Sequence, residues 1–136
     1  MIAVTRETAM TNDNLGQRVP LTYAFASDEE LERVCNGCGP GEGWKNVIVP
    51  DTIYGISITE ACDVHDWMYE MGGDIRDREF ADQVFLDNIL HLITLRSRTT
   101  IWGLMTFWAN PLRVLRARKY FTAVSLLGNH HFNWNA

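Results

Sequence analysis

The chain has 136 residues, 46% of them hydrophobic and 21% charged, with a net charge of −5. That length fits one domain with a real core, and three cysteines are too few for a disulfide-dense scaffold. The longest apolar stretch, Ile101 to Ala109, falls far short of the roughly 20 residues that span a bilayer.

The opening MIAVTRETAM has no basic flank followed by an apolar run, so no secretory leader is expected. The protein is expected to be soluble and cytoplasmic when made, and to reach an outside target by a non-classical route or on a particle. The charge is asymmetric. Residues 1–87 carry all 17 acids and six bases, a sum of −11, whereas residues 88–136 carry no acid and six bases, a sum of +6. A basic tail on an acidic body points either to an anionic partner or to attraction between the two halves.

In chain order, residues 1–22 read as irregular. Ser27 with Glu30 forms a capping box ahead of a short helix over about 28–35. A glycine loop follows, Cys35-Asn36-Gly37-Cys38-Gly39-Pro40-Gly41-Glu42-Gly43. Residues 46–58 mix β-branched residues with Pro50 and Gly55 and read as an extended connector. Thr59 and Glu60 start a second helix that ends at Gly72-Gly73. Asp74 to Arg78 forms a tight charged turn into a third helix, about 77–97, with Phe85, Ile89, Leu92 and Ile93 at helical spacing. Asn110 as N-cap and Pro111 open a last helix, about 111–127, that stops at Gly128. The result is one mostly α domain over 1–136 in which helices two and three are antiparallel neighbours.

The chemistry concentrates in Ala61-Cys62-Asp63-Val64-His65-Asp66-Trp67-Met68-Tyr69. On a helix, Cys62, His65 and Tyr69 share one face, while Asp66 lies about 100° around the axis and can address a metal held by the preceding loop. Glycine tolerates the turns that aim several carbonyls at one point, and calcium takes six to eight oxygens. Gly37, Gly39, Gly41 and Gly43 suit that role. A carboxylate of helix three can orient the His65 imidazole; Asp82 is the best candidate and Asp87 the second. A neutral His65 could then take a proton from water that attacks an ester carbonyl.

Together these fragments resemble the calcium-dependent secreted phospholipase A2 superfamily, over about residues 28–93. The short span between His65 and Asp82, and Phe85 three residues after Asp82, look most like the bacterial and viral members. The resemblance implies His65 as general base, Asp82 as its orienter, Tyr69 in the supporting network and Gly39 with an amide toward the oxyanion. It implies calcium held by Asp66 and the carbonyls of Gly37, Gly39 and Gly41, and a Cys38–Cys62 disulfide. That bridge would close a loop of 23 residues, for about 3 kcal/mol of stabilisation. The implied activity is hydrolysis of the sn-2 ester of glycerophospholipids at a membrane surface, with no nucleic-acid partner. The chain departs from the family pattern in an extra residue between Cys35 and Cys38, in Glu42 at a usual glycine position, and in Ala61 and Met68 at two cysteine positions.

An alternative uses the same residues. Cys35-x-x-Cys38 with Cys62-x-x-His65 is a Cys3His zinc pattern, suited to a structural or nucleic-acid-binding protein. The tail over 98–136 combines an aromatic patch (Trp102, Phe107, Trp108) with Arg113, Arg116, Arg118 and Lys119. It reads as a membrane-docking surface or as a core-facing stripe with a solvated basic face.

Overall fold

A computed structural model describes residues 9–35 and 52–134 (for His130 the backbone only). The glycine loop from Gly37 to Gly43, with Cys38 and Glu42, lies outside the described residues, as do residues 46–51 of the expected connector.

The segment expected to be irregular holds a small hairpin. Strand β1 (Met10–Asn12) pairs antiparallel with β2 (Arg18–Pro20), placing Thr11 opposite Val19. The turn between them is built by Asp13, whose carboxylate accepts from the amides of Leu15 at 3.0 Å and Gln17 at 2.8 Å. Asp13 thus supplies acceptors that a three-residue ladder lacks. Val19 is fully buried, so the hairpin is part of the core. Helix α1 (Leu21–Ala24) follows, then α2 (Asp28–Val34). Ser27 caps α2 as expected by accepting from the Glu30 amide at 3.2 Å. The box is not reciprocal in the usual way, because the Glu30 carboxylate accepts from the Ser27 hydroxyl.

Within the connector, β3 (Thr52–Ile53) pairs with β4 (Ile56–Ser57). The two-residue turn puts Tyr54 at φ 45° and Gly55 at φ 81°, the left-handed pair that a type I′ hairpin requires. Gly55 also makes room for Trp102, whose indole nitrogen would lie 2.0 Å from a Cβ there.

Three helices carry the core. Helix α3 (Thr59–Met71) stops at Gly72, φ 67°. Helix α4 (Ile75–Thr99) starts two residues earlier than expected, because Asp74 caps it in a reciprocal box with Asp77; the charged residues read as a turn are its first turn. The two run antiparallel. Glu60 at the start of α3 binds Arg96 near the end of α4 at 2.8 and 2.6 Å, while Tyr69 near the end of α3 reaches Asp82 near the start of α4. Helix α5 (Ile101–Met105) and a single 3-10 turn (Phe107–Ala109) lead into α6 (Asn110–Leu127). Asn110 does not cap α6. Ala109 stands at that position, and the Asn110 side chain instead accepts from Arg113 at 2.9 Å. Ile58, Phe85, Ile89, Leu92, Ala117 and Val124 are among the buried side chains that join the three helices. No helix among the described residues is long and apolar enough to cross a membrane.

Arg113 ties the β3–β4 hairpin to the entrance of α6. It is fully buried. Its Nε donates to the Ile53 carbonyl at 3.2 Å, and its two terminal nitrogens donate to Tyr54 and Thr106 carbonyls, the Thr106 hydroxyl and the Asn110 amide oxygen at 2.6–3.0 Å. Five neutral acceptors thus match the five N–H donors of one planar guanidinium.

Candidate functional site

The sequence places His65 and Tyr69 one helical turn apart on α3, and α4 presents Asp82 opposite them. His65 Nε2 lies 2.8 Å from Asp82 Oδ1, and the Tyr69 hydroxyl donates to the same oxygen at 2.6 Å. All three side chains are buried. The imidazole stacks obliquely on Tyr69 and Phe85, with ring centroids 4.2 and 4.5 Å away. With a carboxylate accepting at Nε2, the neutral ring carries its proton there and its lone pair at Nδ1. Burial pushes the His65 pKa below its ordinary value; Asp82 acts in the opposite direction and the Arg78 charge adds to the lowering. Near neutral pH the ring is therefore neutral, the form a general base needs. Burial and the Asp82 charge raise the Tyr69 phenol, which holds it as a donor.

Three residues that the sequence reading did not single out complete the surroundings. Ser125 of α6 donates to Asp82 Oδ2 at 3.4 Å. Arg78 enters from α4 and anchors to α6 and the turn after it, donating to the carbonyls of Val124 and Ser125 and to Asn129 Oδ1. Phe132 is buried with its ring edge-on to Tyr69, centroids 5.2 Å apart. The C-terminal turn closes on this corner. Asn133 donates its amide to the Tyr69 carbonyl and accepts from the Gly73 amide, both at 3.1 Å. Gly128 lies so close that a Cβ there would stand 2.4 Å from the Tyr69 hydroxyl.

Of the two acids weighed as orienter of His65, Asp82 is the one that reaches it. Asp87 lies half-exposed on α4, 3.1 Å from Arg18. The metal-side residues are seen in part. Asp66 is 8% exposed. Cys35, at the mouth of the glycine loop, donates its thiol hydrogen to the Asp63 carbonyl at 3.3 Å. Burial, with the charges of Asp63 and Asp66, pushes that thiol up to about 12. Both carboxylates therefore act on the point where the chain enters the loop. Gly37, Gly39 and Gly41 fall outside the described residues.

Of the zinc pattern Cys35, Cys38, Cys62 and His65, Cys38 lies outside the described residues. Cys62 is buried on α3. His65 gives Nε2 to Asp82. Among the described residues, no three His, Cys, Asp or Glu side chains converge as metal ligands.

The chain matches no family model, no curated protein and no solved structure.

Proposed function

We propose that the chain is a calcium-dependent lipolytic enzyme of the phospholipase A2 type, which hydrolyses the sn-2 ester of glycerophospholipids to a fatty acid and a lysophospholipid. The observation that carries this reading is the buried His65–Asp82–Tyr69 cluster, with the Asp66 carboxylate next to His65 in sequence and beside the glycine-loop mouth. Asp82 fixes the tautomer and balances the charge that His65 gains when it accepts a proton at Nδ1. Tyr69 and Ser125 hold the Asp82 carboxylate in place. Water that gives its proton to Nδ1 attacks the ester carbonyl, and the same proton then passes to the leaving alcohol. Asp66, with the carbonyls of Gly37, Gly39 and Gly41, would hold calcium, whose charge offsets the developing oxyanion. The Gly39 amide would serve the same oxygen. A Cys38–Cys62 bridge would tether the loop to α3.

The experiment is release of a labelled sn-2 fatty acid from mixed-acyl phospholipid vesicles by the full chain and by His65→Asn. Activity in the parent and none in a folded His65→Asn protein is the expected result. Undiminished release by His65→Asn would overturn the base assignment. Asp66→Lys addresses the metal side: it should lose activity together with calcium binding.

A further inference from the structure

Helix α5 and the 3-10 turn after it present an unusual surface. Ile101, Trp102, Leu104, Met105, Phe107 and Trp108 each expose between 54% and 78% of their area. Six adjacent large apolar side chains in water make a patch that calls for an occupant. The patch continues along α6. At 3.6 residues per turn, Leu112, Leu115, Arg116, Lys119 and Leu126 fall within about 100° of arc. All five are exposed, and the opposite face buries Arg113, Ala117, Tyr120 and Val124. The outer face of α6 is thus leucine interleaved with basic residues.

The segment that forms it carries charge of one sign. Residues 88–136 contain no acid. Of their six bases, Arg113 is buried and Arg96 is bound to Glu60, which leaves Arg98, Arg116, Arg118 and Lys119 exposed. Beside the patch lies a notch of about 130 Å³, lined by Thr52, Ile53, Tyr54, Arg116 and Tyr120. The Arg116 guanidinium stands 5.5 Å from the Tyr54 ring centre. Trp102 joins notch to patch, since its indole N–H donates to the Tyr54 carbonyl at 3.0 Å.

We infer that this face docks the protein on an anionic phospholipid bilayer, with the α5 tip among the acyl chains, α6 in the plane of the headgroups and Arg116 in the notch receiving a lipid phosphate. Exposed tryptophan with leucine and basic side chains is the chemistry of the bilayer interface. The absence of acid from the whole segment supplies the complementarity to negative lipid. The occupant is a charged surface rather than a second copy, because two copies of an acid-free basic face would repel. The α5 end of the face lies away from the candidate site, since Asp82 and Thr99 are about 25 Å apart along α4, whereas the Leu126 end of α6 adjoins Ser125 beside Asp82. The inference deepens the lipid reading above by naming the docking surface and the lipid charge. It does not require His65, so it can be tested without turnover.

The test is co-sedimentation of the full chain, in chelator, with vesicles of phosphatidylcholine alone and of phosphatidylcholine mixed equally with phosphatidylglycerol. Binding to the anionic vesicles should exceed binding to the neutral ones at least tenfold and fall as salt rises. Arg116→Gln with Lys119→Gln should weaken it about thirty-fold, at about 1 kcal/mol per basic residue near an anionic surface. Phe107→Ser with Trp108→Ser, both on exposed side chains, should reduce it below detection while the circular dichroism spectrum is unchanged. Equal binding to both vesicle types, or full binding by both double variants, would overturn the inference. So would a parent dimer in sedimentation that ignores vesicles and that Phe107→Ser with Trp108→Ser dissociates. Because chelator removes any calcium-dependent hydrolysis, failure of docking and failure of the enzymatic reading give separate signals.

Discussion

Replacing Tyr69 by Phe removes one hydroxyl from the buried cluster and leaves the ring. The ring keeps its contacts with His65, 4.2 Å between centroids, and with Phe132, 5.2 Å. What is lost is a 2.6 Å hydrogen bond to the Asp82 carboxylate. Hydrogen bonds to charged groups contribute about 1.5–3 kcal/mol, and both partners are buried, so a loss of about 2 kcal/mol is expected. Unfolding entropy near 2.1 cal/mol/K per residue gives about 0.29 kcal/mol/K for this chain, and hence a fall in Tm of about 7 °C. Urea and thermal unfolding at pH 7, followed by circular dichroism, measure both quantities. Pairing Tyr69→Phe with Asp82→Asn in a double-mutant cycle should return a coupling of about 1 kcal/mol or more. A Tyr69→Phe protein as stable as the parent, or strictly additive effects in the cycle, would refute the reasoning that Asp82 is held by the phenol.

The pKa of His65 lies below its unfolded value because of burial, so below about pH 6.5 the unfolded chain binds the extra proton first and stability falls. Acid melts of the parent should show this loss, and His65→Asn should remove that component. Arg113→Met removes the guanidinium from the buried Ile53 carbonyl and from the Tyr54 and Thr106 carbonyls, which keep Trp102 and Ala109 as donors, and should cost about 1–3 kcal/mol; Arg113→Lys should recover little, because an ammonium cannot reproduce the planar fork. Urea denaturation of the two variants decides the point. With its thiol near 12, folded Cys35 is thiolate in about one molecule in 10,000 at pH 8. Alkylation by iodoacetamide should therefore be markedly slower than for an unstructured thiol, and a rate near that of the free thiol would contradict the half-buried, acid-flanked placement.

The parts of the fold that the sequence made legible are those with long periodic signals. Helix α3 ends at a glycine pair, α4 repeats apolar residues at helical spacing, and α6 opens on Asn-Pro and stops at Gly128. Spacing along α3 and the facing position on α4 were also enough to bring His65, Tyr69 and Asp82 together. Short elements were not legible. Strands β1 and β2 have three residues each, too few for alternation to show, and their turn depends on one Asp13 side chain. Asp13 and Gly16, seven and four residues before Pro20, could have indicated a turn. Contacts made across the chain left no local trace at all. Ser125 meets Asp82 from 43 residues away, and Phe132 packs on Tyr69 only because the turn after α6 folds back over α3. Asn110 shows the limit of motif reading: it has the right chemistry for a cap, but Arg113 recruits its side chain instead. The exposed α5 face follows the same pattern, since an apolar run reads as core until the packing shows that no other element covers it among the described residues.

The most direct test of the central claim is a single hydrolysis assay on mixed-acyl glycerophospholipid vesicles, run with calcium, with zinc and with chelator, together with metal analysis of the purified protein. The account predicts sn-2 fatty acid release that requires calcium and is not restored by zinc. No release under any condition, with one firmly held zinc per chain, would contradict it and return His65 and the cysteines to a structural role.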